Sequence, residues 1–185
     1  MLKHHLVTAV NWSWDALHGV ETRQHVPVAV GHAYEPIGLH HLRALLRHAA
    51  TILPISQTTL VDVGSGKGRP VLYAARAPYR AVIGVEYDPA LHARALHNLQ
   101  RYRGPRRAPV QFVCADARTY DWPTGPLAVL FFNPFPESIM ADVIARVPRH
   151  TLALCAGEYT CRQPFERAGW RTVFHEGQRT MHHFS

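Results

Sequence analysis

The sequence predicts an α/β fold: a seven-stranded, mostly parallel sheet with helices on both faces and an antiparallel strand at its C-terminal end. Three observations predict it. From residue 59 onward, short apolar runs alternate with amphipathic stretches long enough to be the crossovers of βαβ units. One of these runs ends in three glycines at alternating positions and passes directly into an amphipathic stretch, as a strand does when it turns into a helix. A chain of 185 residues, 47% apolar and 18% charged, can bury a core of its own, which excludes a disordered chain and a stapled miniature scaffold.

The predicted strands are Thr59–Val63, Ala81–Glu86, Val110–Ala115, Leu127–Asn133, Thr151–Gly157 and Trp170–His175. Between them lie predicted helices at Lys67–Ala77, Pro89–Arg103, Glu137–Val147 and Cys161–Ala168. Pro89 behind Asp88 has the pattern of a proline at the first helical position after an Asp cap. Gln178–Ser185 is expected to fold back on Trp170–His175 through Glu176-Gly177-Gln178 as an antiparallel hairpin, ending the chain inside the sheet.

Upstream, Pro36–Ala50 carries Ile37, Leu39, Leu42, Leu45 and Leu46 at helical spacing and reads as an amphipathic helix lying against the sheet. Residues 1–35 hold Trp12, Trp14 and Tyr34 among many histidines with weak periodicity. The expected organisation is a single domain: an arm and helix over residues 1–50, a linker at 51–58 and a core from 59 to 185. Trp12 and Trp14 suit burial against that core or against a second copy in a homodimer equally well.

No stretch approaches the roughly 18 uninterrupted apolar residues of a membrane span, and Met1-Leu2-Lys3-His4-His5 lacks the apolar core of a secretory signal, so a soluble protein is expected. Cys114, Cys155 and Cys161 are odd in number and show no C-x-x-C spacing. They suggest neither a disulfide framework nor a zinc site, no metal is expected, and a reducing cytoplasm suits them. The formal net charge is +7, and only Lys3 and Lys67 are lysines. Such an excess favours acidic partners, but the arginines are spread along the chain, as codon bias in a GC-rich genome also produces.

The chemistry concentrates in Asp62-Val63-Gly64-Ser65-Gly66-Lys67-Gly68, where glycines let the backbone pass close to a ligand held at a helix N-terminus. Glu86 ends the second strand 22 residues after Gly64, where a carboxylate can accept both hydroxyls of a ribose. Asp116 follows the third strand, where it can accept a hydrogen bond from an adenine amine. All three features fall at the carboxyl ends of adjacent strands and point to an adenosine cofactor. The G-x-G-x-G spacing differs from the G-x-G-x-x-G of dinucleotide sites, and Asp62 suits a cationic amino-acid tail better than a pyrophosphate. Singly, the glycines suit an ordinary strand-to-helix turn, Glu86 a solvated strand end and Asp116 a cap for Ala117–Tyr120, but those readings leave the order unexplained.

Asp62-Val63-Gly64-Ser65-Gly66-Lys67-Gly68, Gly84-Val85-Glu86, Ala115-Asp116 and Asn133-Pro134-Phe135-Pro136 resemble, in that order, the signature segments of class I S-adenosylmethionine-dependent methyltransferases. Within that class, Tyr34-Glu35-Pro36 ahead of a helix, together with these segments, is similar to the non-SET histone-lysine methyltransferases and to small bacterial relatives. The resemblance implies a Rossmann-like sheet and S-adenosylmethionine as cofactor. It implies that Gly64, Ser65 and Gly66 meet the methionine portion and that Asp62 holds its amino group, directly or through water. Glu86 would take the ribose, Tyr87 would pack beside the adenine, Asp116 would meet the adenine amine, and Tyr34 would lie on a lid over the cofactor mouth.

Asn133-Pro134-Phe135 resembles the N-P-P-[FY] segment of amino-group methyltransferases, with the aromatic residue third instead of fourth. The resemblance makes Asn133, Phe135 and Tyr34 the catalytic candidates, with Asn133 also touching the cofactor, and makes nitrogen of a protein or small molecule the favoured acceptor. A hydroxyl acceptor would need a base, for which His32, Glu35 and Glu158 are available, and Tyr159 could line the acceptor pocket. Arg69 reads as a substrate or cofactor contact, or as surface charge. The basic run Arg101–Arg107 precedes the third strand and so lies opposite the cofactor. An RNA or DNA methyltransferase and a non-catalytic cofactor-binding scaffold are the competing readings, with nucleic acid the less favoured partner.

Overall fold

The computed structural model describes residues 2–23, 34–133, 136–157 and 162–184. Its sheet has seven strands: β1 (Thr59–Val63), β2 (Ala81–Glu86), β3 (Val110–Cys114), β4 (Leu127–Phe132), β5 (Thr151–Ala156), β6 (Arg171–Glu176) and β7 (Arg179–His183). They lie in the order β3-β2-β1-β4-β5-β7-β6. The first five pair in parallel, and β7 runs antiparallel between β5 and β6. Every predicted strand is present. The predicted hairpin forms with β7 inside the sheet, and β6 begins one residue late because Trp170 is buried behind the preceding helix, its N–H on Phe165 O at 2.9 Å.

The helices are α1 (Leu2–His18), α2 (Leu39–Ile52), α3 (Arg69–Ala74), α4 (Pro89–Arg101), α5 (Glu137–Ile144) and α6 (Arg162–Arg167), with a 3-10 turn at Ile55–Gln57. One core packs α2, α3 and α4 on one face of the sheet through residues such as Leu42, Leu45, Val71, Ala95 and Leu130. The other packs α5 and α6 on the opposite face through Val129, Phe131, Val143 and Phe165. Among the described residues, no helix is long and apolar enough to cross a membrane.

The helix ends differ from the periodicity for local reasons. Predicted to start at Lys67, α3 starts at Arg69, because Gly68 stands before it in the left-handed region at φ 82°. It stops early because Ala75 O is taken by the N–H groups of Arg107 and Ala108. At the start of α2, Gly38 is extended and the Leu39 N–H is capped by Asn11 Oδ1 at 3.0 Å. For α4 the expectation holds: Asp88 accepts from Ala90 and Leu91 N–H at 2.8 and 3.0 Å.

The weakly periodic residues 1–35 contain a full helix, α1, which is a correction to the sequence reading. It shows little apolar stripe because it docks through polar and aromatic side chains. Trp14 stacks on His18 and tilts against Tyr73 and Tyr102, whereas Trp12 is exposed with Arg23 over its ring. Gly19, at φ 72°, closes α1 with Val20 N–H on Asp15 O at 2.9 Å, and a Cβ there would lie 2.6 Å from Arg101 O.

Arg69 is corrected too: it is neither a surface charge nor turned toward the cofactor edge. The side chain is 1% exposed. Its Nε donates to Asp15 Oδ1 at 2.8 Å, its Nη2 to Asp15 Oδ2 and Thr22 Oγ1, and its Nη1 to Ile37 O at 3.2 Å. A buried pair whose hydrogen bonds are this well met holds firm as a unit, but removing one partner leaves an uncompensated charge. Arg69→Met should lower the unfolding free energy by about 3–5 kcal/mol in a urea titration; a loss below about 1 kcal/mol would show that the pair does not anchor α1.

Candidate functional site

The loop from β1 to α3 is built from left-handed turns: Gly64, Gly66 and Gly68 have φ of 73°, 53° and 82°. The Gly64 and Ser65 N–H groups donate to Val85 O at 2.9 and 3.1 Å, drawing the loop across the end of β2. Gly66 is required twice over. Its backbone conformation disfavours any side chain, and a Cβ would lie 2.5 Å from Tyr34 Cε2. Tyr34 therefore lies on the glycine loop, with the Lys67 ammonium 4.8 Å from its ring centre. Burial pushes the Tyr34 phenol well above its ordinary value, which favours its protonated form.

Glu86 fastens this loop. Its Oε2 accepts from Gly66 N–H at 2.7 Å and its Oε1 from Asp88 N–H at 2.8 Å. Burial raises its carboxyl above the usual value, and the backbone N–H groups of Asp88, Gly66 and Tyr87 offset part of that rise. A carboxylate has about four lone-pair directions, so both oxygens retain acceptor capacity for a pair of hydroxyls.

Three buried polar atoms around the loop and the neighbouring strand end have no hydrogen-bond partner: Asp62 Oδ2, Ser65 Oγ and Asn133 Oδ1. Unpaired buried polar groups are costly and uncommon, and three of them here describe a site shaped for a polar ligand. Asp62 is the extreme case. Its carboxyl is pushed up to about 8, mainly by burial and secondly by the charge of Glu86. A cationic amino group beside Asp62, hydroxyls on Glu86 and further polar atoms against Ser65 would satisfy what the fold leaves unsatisfied. The residues present thus fit an adenosyl amino-acid cofactor.

Toward the outer edge, Tyr87 is 51% exposed, leaving a free ring face at the end of β2. Asp116 caps its own turn, accepting from Arg118 N–H at 2.8 Å, and its carboxylate is gripped by the Arg118 side chain, with Nη2 at 2.7 Å. Those hydrogen bonds hold the Asp116 carboxyl below its ordinary value. A contact between Asp116 and an adenine amine would have to be made alongside Arg118.

Asn133, just past β4, has φ 43°, in the left-handed region that residues other than glycine seldom occupy. Its side chain lies over Gly157, where a Cβ would collide with the amide. Gly157, itself at φ 124°, is thus part of the site, although the sequence reading treated it only as a strand end. The catalytic candidate Phe135 lies outside the described residues, as do His32, Glu158 and Tyr159. Glu35 is exposed. Among the described residues, no cluster of three or more His, Cys, Asp or Glu is arranged to hold a metal.

Sequence reasoning also missed the residues that hold the loop from behind. Asn98 donates to Lys67 O at 2.9 Å and Glu21 O at 3.1 Å and accepts from Glu21 N–H at 2.9 Å, joining α4, the loop and the arm. Its signal was available, because Asn98 shares the buried stripe of α4 with Leu91 and Ala95, and a polar residue on such a stripe needs partners. The fully buried Lys67 reaches Thr22 O at 3.3 Å and Glu21 Oε2 at 3.8 Å. Asp15 and Thr22 carried no comparable signal.

Residues 60–151 match the methyltransferase domain family. A 111-residue stretch is 32% identical to the ribosomal RNA small subunit methyltransferase A of a Bradyrhizobium species, covering 58% of this chain and 32% of that protein. The chain thus spans about a third of the length of the curated relative it matches. Among solved structures, precorrin-6y C5,15-methyltransferase from Geobacter metallireducens superposes with a TM-score of 0.59 at 15% identity, over 85% of this chain and 95% of that one. Magnesium protoporphyrin IX methyltransferase from Synechocystis, solved with S-adenosylmethionine bound, superposes at 0.56 and 13% identity, over 77% of each chain. With the matched segment carrying the glycine loop, Glu86 and Asn133 in a sheet of this order, residues 60–151 are a methyltransferase domain, and the fold is that of the class I S-adenosylmethionine-dependent methyltransferases.

Proposed function

We propose that this methyltransferase delivers the methyl group to a nitrogen atom, carried by a protein or a small molecule. The observation that supports this most is the unpaired, buried Asn133 carbonyl oxygen, seated beside Gly157 and one strand over from the glycine loop. Such an oxygen accepts an N–H and thereby turns the nitrogen lone pair away from itself. Bound S-adenosylmethionine supplies an electrophilic methyl on a sulfonium. The chain's task is to hold the nitrogen in line with it, and positioning alone can provide much of the acceleration. An amine that sheds its proton to water needs no dedicated base, in keeping with a Tyr34 phenol held protonated. Glu86 and Asp62 are assigned to ribose and amino group, Gly64, Ser65 and Gly66 to the methionine portion, and Tyr87 and Asp116 to the adenine side. Tyr34, lying on the glycine loop, is assigned to cover the cofactor. A reducing cytoplasm suits the cysteine usage.

A nucleobase amine is the second reading, favoured by the similarity to a ribosomal RNA methyltransferase. Either carrier leaves the role of Asn133 unchanged. Asn133→Ala should retain affinity for S-adenosylhomocysteine within about threefold while turnover falls by roughly a hundredfold or more, as for loss of a positioning hydrogen bond. Equal loss of both in calorimetry and methyl-transfer assays would remove Asn133 from the acceptor side.

Asp62 generates a prediction in pH. With its carboxyl raised to about 8 in the fold and near 3.9 when unfolded, the folded state holds the extra proton between those values. Stability of the ligand-free chain therefore falls as pH rises from about 4 to about 8. Melting curves at pH 5 and pH 8 should show this drop, and Asp62→Asn should abolish it while weakening cofactor binding. An unchanged pH slope in the variant would contradict the assignment.

A further inference from the structure

A second concave site lies away from the glycine loop. The outer side of α2 forms one wall of a groove of about 790 Å³, bounded by α1, the end of α3 and β6. Its lining includes none of Tyr34, Asp62, Glu86 or Asn133.

The groove is cationic and aromatic together. His40, Arg43, Arg47, His48 and Thr51 form one helical stripe about 16 Å long, at 1.5 Å per residue. Arg43 and Arg47 are exposed, and among the described residues no carboxylate pairs with either, or with Arg76. The acidic side chain on the wall, Glu176, is engaged by Arg179 at 3.0 Å. Trp14 and Tyr73 supply flat apolar surface, with the Arg76 guanidinium 5.3 Å from the Tyr73 ring centre. Two donors on these walls, Trp14 Nε1 and Arg76 Nε, are buried and have no acceptor. Such donors ask for a ligand that brings acceptor oxygens.

We propose that this groove binds a single strand of nucleic acid, with phosphates on Arg43, Arg47 and Arg76 and a base against the Trp14–Tyr73 wall. The length of the stripe favours an extended polyanion over one small anion. Arginine forks match phosphate oxygens, and aromatic faces take bases. A single strand can turn its bases into the recess, which a duplex cannot. The wall formed by α2 is tied to the junction behind the glycine loop, since Ile37, two residues before α2, accepts from Arg69 through its carbonyl. Binding here is independent of the nitrogen reading, because no groove residue takes part in methyl transfer.

The test is fluorescence anisotropy of a labelled twelve-nucleotide polyuridylate with the full chain at 50 and 200 mM salt. Three phosphate contacts predict roughly a tenfold or greater loss of affinity across that interval. The surface double variant Arg43→Gln with Arg47→Gln, shown folded by circular dichroism, should bind at least about tenfold more weakly at 50 mM salt and lose most of the salt dependence. Arg106→Gln with Arg107→Gln should bind as the native chain does. Absence of binding at 50 mM salt, an unaffected groove variant, or loss in the Arg106/Arg107 variant instead would overturn the proposal. So would displacement of the strand by an equal concentration of a twelve-residue polyglutamate, which would mark the groove as a site for acidic protein.

Discussion

The ion pair between Arg69 and Asp15 is the contact on which the rest of the arrangement depends. Arg69 follows Gly68 directly, so its guanidinium is fixed to the end of the cofactor loop, while Asp15, Thr22 and the Ile37 carbonyl come from the chain before the sheet begins. One side chain thus joins α1, the segment after it and the start of α2 to the loop. Asn98 and Lys67 reinforce the same junction from α4 and from the loop. The desolvation cost of the charges is offset because every group of the cluster has partners, which makes the junction strong in its specificity and intolerant of partial loss.

The consequence at the site is a division of labour. Behind the glycine loop Arg69, Asp15, Thr22 and Asn98 meet polar partners, whereas around the carboxyl ends of β1 and β4 Asp62, Ser65 and Asn133 each leave a buried atom without one. Asp62 is buried beside Glu86 with its carboxyl raised to about 8, and Asn133 occupies a backbone conformation that costs free energy. Stability forgone at a rigidly supported point is the usual signature of a surface built for a ligand. The supporting contacts let the fold tolerate it.

Much of the fold was legible because its information is local. Largely apolar runs of five or six residues mark β1, β2, β4 and β5, Asp88-Pro89 marks the start of α4, and Glu176-Gly177-Gln178 marks the final hairpin. The cofactor edge was legible for a related reason: Asp62, the glycines and Glu86 sit at strand ends whose positions follow from the parallel topology. What was hidden depends on contacts distant in sequence. Helix α1 buries Asp15 and packs Trp14 instead of an apolar stripe, so its periodicity is faint. Arg69 looked like a cofactor contact because it follows the glycines, yet its partner lies 54 positions away. Gly157 matters only because Asn133 lies on it, a relation set by the pairing of β4 with β5.

The central claim is that the polar groups at the carboxyl edge of β1 and β2 hold the adenosyl cofactor, with Glu86 on its ribose. Calorimetric titration with S-adenosylhomocysteine, comparing the native chain with Glu86→Ala, tests it most directly. The account predicts saturable one-to-one binding that weakens at least about tenfold, or 1.4 kcal/mol, in a variant whose circular dichroism is native. A folded native chain that takes up no S-adenosylhomocysteine, or a variant that binds it equally well, would contradict the account.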